Sequence, residues 1–181
     1  MKIWAALSAA FRGWLNIVRG EGGWQQHFSL TFAGLATALV LFVFFALLSI
    51  AVAAIGINTP TLAGFAAGLV VQCLSILALF IGATATRRAV PTAQPLLALM
   101  VPGLYALIAY LILGTVLSVF GGLALLVLWL GLGYLFYRLA RMAALWSIGV
   151  SVAFAVLTMA LLVGMPMTLY MLTGPVAVPA L

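Results

Sequence analysis

Few residues in this chain have side chains suited to acid–base, nucleophilic or metal chemistry. The 181 residues include one acidic residue (Glu21), one histidine (His27) and one cysteine (Cys73). A catalytic triad or a metal site needs several such groups close together, and this inventory cannot supply them. No glycine-rich nucleotide-binding motif is present either. We therefore expect no enzymatic activity, no cofactor and no metal; an enzyme of lipid metabolism would have to build its site from Glu21, His27 and the arginines.

The composition indicates that most of this chain lies in lipid. It is 68% hydrophobic and only 4% charged, whereas soluble domains have about 25% charged residues. Inside a bilayer only helices or closed barrels satisfy the backbone hydrogen-bonding groups. The strands of a barrel alternate apolar and polar residues, but here the apolar runs are continuous, as in residues 39–57. The predicted fold is an all-α, polytopic transmembrane helical bundle.

The apolar runs divide the chain into five predicted spans. A helix that crosses a membrane needs roughly 20 residues. The bundle occupies residues 28–173, and the fourth span is short. An amphipathic interfacial helix at residues 1–19 and a glycine-rich linker at 20–27 come before it, and a short tail at 174–181 follows. The spans are predicted at about residues 28–56, 61–84, 96–119, 123–137 and 144–172.

The positions of the cations predict the orientation of the spans. With five spans, all seven Lys and Arg residues fall on the same side of the membrane. The positive-inside rule makes that side cytoplasmic. We expect a retained, cytoplasmic N-terminus and a periplasmic C-terminus in a bacterial inner membrane. The cations precede span one (Lys2, Arg12, Arg19), follow span two (Arg87, Arg88) and follow span four (Arg138, Arg141).

The N-terminal segment has the pattern of a helix lying on the membrane surface. Its apolar residues recur at spacings of three and four, and its polar residues take the other side. We expect this helix either to contact a partner or simply to anchor the bundle. The candidate contact residues are Trp4, Phe11, Arg12, Trp14 and Arg19.

Two further groups of residues are candidates for binding or packing. The four arginines at the ends of spans are candidates for contact with anionic lipid headgroups, although they would also serve to set the topology. Gly64 and Gly68 form a G-x-x-x-G motif, and Gln72 follows them, so all three are candidates for helix packing. The candidate lipid contacts are Arg87, Arg88, Arg138 and Arg141.

Part of this pattern resembles a known family. Trp129 within residues 125–137, followed by the basic turn at 138–141 and a last apolar span, resembles the fourth span and basic turn of Yip1-like membrane proteins. The run of residues 11–15 (Phe-Arg-Gly-Trp-Leu), with Gly34 in the first span, is similar to small bacterial membrane proteins of unassigned function. The Yip1-like resemblance implies five spans and a role in organising membranes. It carries over no catalytic residue, and this chain lacks that family's long cytoplasmic region.

The leading functional hypothesis is a non-enzymatic scaffold or accessory subunit of an inner-membrane complex. Its expected partners are membrane lipids and either other membrane proteins or further copies of the chain, and not nucleic acid. A Yip1-like role in membrane organisation is one alternative. The other is a small channel or carrier for an uncharged or weakly polar solute, with a path lined by Gln72, Thr37, Ser75 or Thr115.

Overall fold

A computed structural model describes residues 3–53, 62–118 and 121–173, and within these ranges every regular element is a helix. Five of the helices are long and apolar enough to cross a membrane. The predicted all-α, multi-pass membrane fold is therefore confirmed. Lys2, the loop at residues 58–60 and the tail at 174–181 lie outside the described residues. The helices are α1 (Ile3–Arg19), a short 3₁₀ helix (Trp24–His27), α2 (Phe32–Ala53), α3 (Leu62–Ala89), α4 (Leu97–Leu117), α5 (Gly122–Ala143) and α6 (Ile148–Thr173).

The fourth span is longer than its apolar run. Helix α5 has 22 residues, which is enough to cross the hydrocarbon region. It continues through Arg138 and Arg141 because residues 138–143 are arginine, leucine, alanine and methionine, all strong helix formers. Helix α3 likewise continues through Arg87 and Arg88. Arg87, Arg88 and Arg141 therefore lie in the last turns of their helices, where a positive charge interacts favourably with the helix dipole.

The first span begins later than its apolar run. The hydroxyl of Thr31 accepts a hydrogen bond from the backbone N–H of Gly34 at 3.1 Å, which is the N-cap arrangement that starts α2. Phe28 lies before this cap and is buried. Its ring centroid is 5.9 Å from that of Tyr105 on α4, and it packs against Gly13 on α1. Phe28 therefore links the N-terminal helix to the bundle.

Helix α4 is the most deeply buried of the spans. It packs mainly against α2 and α5, while α3 packs mainly against α6. Two glycines allow close approach between helices. A Cβ at Gly82 on α3 would overlap the hydroxyl of Thr158 on α6, and a Cβ at Gly103 on α4 would lie 2.7 Å from the side chain of Leu79 on α3. Small residues at such crossings are the main means by which helices pack tightly in lipid.

Replacing Gly82 with leucine should separate α3 from α6, because the new side chain would overlap the buried Thr158. Overfilling a packed core costs about 1–3 kcal/mol. We therefore expect a lower thermal midpoint for the detergent-solubilised protein, measured by circular dichroism. Gly131→Leu on α5 is the matched control, since nothing lies within 4 Å of its Cβ position. Equal midpoints for the two variants would contradict this account of the α3–α6 contact.

Candidate functional site

The C-terminus of α1 is held by an arginine from α5. Gly20 has a φ of 79°, and the N–H groups of Gly20 and Glu21 donate to the carbonyls of Ile17 and Asn16 at 3.2 and 2.9 Å. This is a Schellman motif, which commonly ends a helix at a glycine. Nη2 of Arg138 also donates to the Ile17 carbonyl, at 3.1 Å. The guanidinium thus places a positive charge at the negative end of the helix dipole.

The apolar face of α1 packs on the bundle. Nε1 of Trp14 donates to the carbonyl of Pro102 on α4 at 3.2 Å, and Ala10 and Ile17 are buried. Trp14 was expected to contact a partner or the membrane interface, and the structure places it inside the protein instead. The apolar spacing placed Phe11 and Trp14 on one face of α1, but the buried face turns toward Ala10 and Ile17 and leaves Phe11 exposed. The spacing also carries no information on what covers the face.

The other candidate residues of α1 differ from Trp14. The side chain of Phe11 is 66% exposed, and those of Arg12 and Arg19 are exposed as well. The side chain of Trp4 lies outside the described part of the structure. The predicted linker at residues 20–27 contains the 3₁₀ helix, in which Trp24 is buried. Only Phe11 and the two arginines therefore remain as surface candidates on α1.

Two loops at the same end of the bundle are joined in a similar way. Nη1 of Arg141 donates to the Trp146 carbonyl at 2.6 Å, and Nε1 of Trp146 donates to the Val90 carbonyl at 3.2 Å. The hydroxyl of Thr92 donates to the Ala144 carbonyl at 3.0 Å. We refer to the five bonds donated by Trp14, Thr92, Arg138, Arg141 and Trp146 as the carbonyl clamp.

The carbonyl clamp divides the four candidate lipid-binding arginines into two pairs. Arg138 and Arg141 each donate to a backbone carbonyl of the protein itself. Arg87 is half-buried and Arg88 is exposed, both in the last turn of α3. The structure therefore gives Arg138 and Arg141 a role in packing that the sequence did not predict, whereas Arg87 and Arg88 have no such bond among the described residues.

A cavity of about 150 Å³ lies at the centre of the bundle and is lined by all five spans. Gln72 and Ser75 of α3 line it together; both are candidates for lining a solute path, and Gln72 is also a candidate for helix packing. Tyr110 on α4 and Trp129 on α5 also line it. None of these four polar side chains forms a hydrogen bond with another described residue. The remaining lining residues are Phe42, Leu107, Leu111, Leu132, Leu162 and Val163.

A larger groove, of about 690 Å³, runs between α5 and α6 on the outer side of the bundle, and its lining is almost entirely apolar. Trp129 and Val163 line both this groove and the central cavity, so these two side chains stand between the two spaces. Small residues also line the groove. They are Gly133, Ala155, Ala160 and Gly164.

The other polar and small candidates have partners within the chain. The Thr115 hydroxyl is 3.1 Å from that of Ser49 and so joins α4 to α2. The Thr37 hydroxyl donates to a carbonyl of its own helix. A Cβ at Gly68 would lie 3.2 Å from the side chain of Ile50 on α2, so this glycine allows close approach between α3 and α2. Gly64 is exposed at the start of α3.

Two cavity residues were not singled out from the sequence as parts of a polar site. Tyr110 gave no signal among the apolar residues of α4, and Trp129 was interpreted as part of the family resemblance. Both join Gln72 and Ser75 because the consecutive helices α3, α4 and α5 converge at this point. Glu21 is exposed and His27 is half-buried. Among the described residues no group of three or more His, Cys, Asp and Glu is placed to hold a metal ion.

Comparisons of the chain with known protein families, with curated proteins and with solved structures found no match. The geometry described above is therefore the basis for any functional argument. The resemblance to Yip1-like proteins, and the membrane-organising role that it implies, stay predictions.

Replacing Arg138 with methionine should loosen α1, because the Ile17 carbonyl loses its charged donor. A hydrogen bond to a charged group contributes about 1.5–3 kcal/mol. We expect faster hydrogen–deuterium exchange of the α1 backbone amides, measured by mass spectrometry on protein in nanodiscs. Arg12→Met is the control, since Arg12 is exposed on the same helix. If α1 exchanged at the same rate in both variants, Arg138 would not be what holds it.

Proposed function

We propose that this chain is a non-enzymatic scaffold or accessory subunit of a complex in the bacterial inner membrane. In this proposal it binds a transmembrane helix of a different membrane protein in the groove between α5 and α6. The groove is the observation that carries the proposal, because it lies on membrane-spanning helices and is lined by small residues. Its occupant must therefore be a component of the bilayer.

The small residues of the groove favour a helix over a lipid chain as its occupant. Ala160 and Gly164 occupy positions i and i+4 of α6, a small-xxx-small spacing that lets two helix backbones approach closely. Ala160 is exposed, and nothing lies within 4 Å of the Cβ position of Gly164. In lipid, helices associate through such close packing, since lipid tails are as apolar as the side chains. A flexible acyl chain does not need a backbone-width space.

The orientation in the membrane forms a second part of the proposal. Helices α3 and α5 end at the same side of the bundle, and α1 is joined to that side through Arg138. All arginines of the described residues thus lie near one end. The positive-inside rule supports a cytoplasmic location for this end, with the N-terminus there and the C-terminus in the periplasm. Arg87 and Arg88 would contact anionic lipid headgroups at that surface.

The groove proposal can be tested by photo-cross-linking in native membranes. A photoreactive amino acid would replace Val156, which lines the groove and is 63% exposed, or Val40 on α2, which is 70% exposed and lies outside it. We expect the probe at position 156 to yield one defined product with a different membrane protein, identified by mass spectrometry. The probe at position 40 should give only lipid adducts.

Filling the groove gives the matched control. Ala160→Leu should lower the yield of the protein product from position 156 by about fivefold or more, because a poorly fitting contact costs about 1–3 kcal/mol. Ala36→Leu makes the same change at an exposed position on α2 and should leave the yield unchanged. Lipid adducts alone at position 156 would identify a lipid site, and a product of twice the mass of the chain would identify self-association. Either outcome would contradict the proposal.

The proposed orientation can be tested by cysteine labelling in a Cys73→Ala background. Glu21→Cys and Gly122→Cys place thiols at exposed positions at opposite ends of the bundle. A thiol reagent that does not cross the inner membrane should label Gly122→Cys in intact cells. It should label Glu21→Cys only after that membrane is opened. The reverse pattern would show that the arginine-rich end faces the periplasm.

A further inference from the structure

The central cavity contains polar side chains that lack protein partners. Gln72, Ser75, Tyr110 and Trp129 line it, and none of them hydrogen-bonds to another residue in the described ranges. Gln72, Ser75 and Tyr110 are half-buried and Trp129 is 36% exposed, and a polar group that loses water without gaining a hydrogen bond raises the free energy of the folded state. Because lipid surrounds the bundle, bulk water does not remove this cost. An occupant that bonds to these side chains would remove it.

The cavity lies near the middle of the spans. Phe42 is close to the centre of α2, Tyr110 is in the second half of α4, and Leu132 is at the centre of α5. Such a position is far from both aqueous surfaces, and polar groups at this depth are expensive. Four polar side chains from three helices meet at this depth. A bound molecule that forms hydrogen bonds with them would therefore stabilise the bundle.

The size and chemistry of the cavity define the class of molecule that fits. A water molecule occupies about 30 Å³ in the liquid, so the cavity, at about 150 Å³, accepts a molecule with only a few non-hydrogen atoms. No charged side chain lines it, and an ion would therefore lack a counter-charge. Gln72 supplies both donors and an acceptor, the hydroxyl groups can do either, and Trp129 only donates.

We propose that the central cavity is a binding site for a small neutral molecule that carries both hydrogen-bond donors and acceptors, of the size of urea or glycerol. Gln72 is its main hydrogen-bonding group. This site goes beyond the proposed accessory role and does not depend on it, because the partner groove and the cavity are separate spaces joined only through the side chains of Trp129 and Val163.

Thiol modification can measure whether the cavity is polar and open to small molecules. In a Cys73→Ala background, Ser75→Cys places a thiol on the cavity. The native Cys73 is exposed on the outside of the bundle and lies on a nearly opposite face of α3. Methyl methanethiosulfonate, a small neutral reagent, would be added to the protein in nanodiscs. Since the thiolate is the reactive form and needs polar surroundings, Ser75→Cys should react about tenfold faster than Cys73.

Protection by a ligand tests binding itself. Urea and glycerol serve as probes at concentrations that leave the protein folded, with sucrose, which is too large for the cavity, as the osmotic control. We expect urea or glycerol to slow modification of Ser75→Cys by about twofold or more, as occupancy of half of the sites implies. Gln72→Leu should abolish the protection. Gln72→Met, which is closer to glutamine in shape, replaces it if the leucine variant does not fold.

The modification rates either support or contradict the proposed binding site. Protection that depends on Gln72 supports the site. Equal modification rates for Ser75→Cys and Cys73 would overturn the proposal, because the cavity would then be no more polar than the lipid-facing surface. Rapid modification of Ser75→Cys that neither urea nor glycerol slows would also overturn it, since the cavity would then hold water alone.

Discussion

Donation of side-chain hydrogen bonds to backbone carbonyls at one end of the bundle is the interaction on which the remaining structure depends. Through the carbonyl clamp, Trp14 and Arg138 seat α1 on α4 and α5, while Trp146 joins the loop before α6 to the loop after α3. Lipid gives helices no hydrophobic reason to associate, so hydrogen bonds and close packing must supply the attraction. Two of the arginines proposed to set the topology, Arg138 and Arg141, thus also provide part of this attraction.

Away from the carbonyl clamp, the helices are held together by close packing at small residues. This packing does not fill the centre of the bundle. Gly82 and Gly103 bring α3 against α6 and α4, but Gln72 and Tyr110 face a cavity that the neighbouring spans do not fill. The wall formed by Trp129 and Val163 brings the two proposed sites within one side chain of each other. A helix docked in the groove would therefore contact the groove side of Trp129 and Val163. Any shift of Trp129 would change the shape of both the groove and the cavity.

The spans, their number and the amphipathic N-terminal helix could be predicted from the sequence because they depend on local properties, namely apolar length, residue spacing and the positions of charges. The end of α5 could not be placed from hydropathy, since Arg138 and Arg141 interrupt the apolar run but favour a helix. The burial of Trp14 and the gathering of Gln72, Ser75, Tyr110 and Trp129 depend on which helices become neighbours. Apolar helices without sharply different faces carry little information about that choice.

The position of α1 against α4 and α5 constrains the order in which the protein is assembled. The residues that receive it, Pro102 and Arg138, belong to α4 and α5, so a ribosome makes the first helix well before its binding surface exists. Until those helices are in place the apolar face of α1 lacks its binding surface, and an amphipathic helix can cover such a face by lying against lipid. Helix α1 is therefore made before α4 and α5 but can reach its final place only after them.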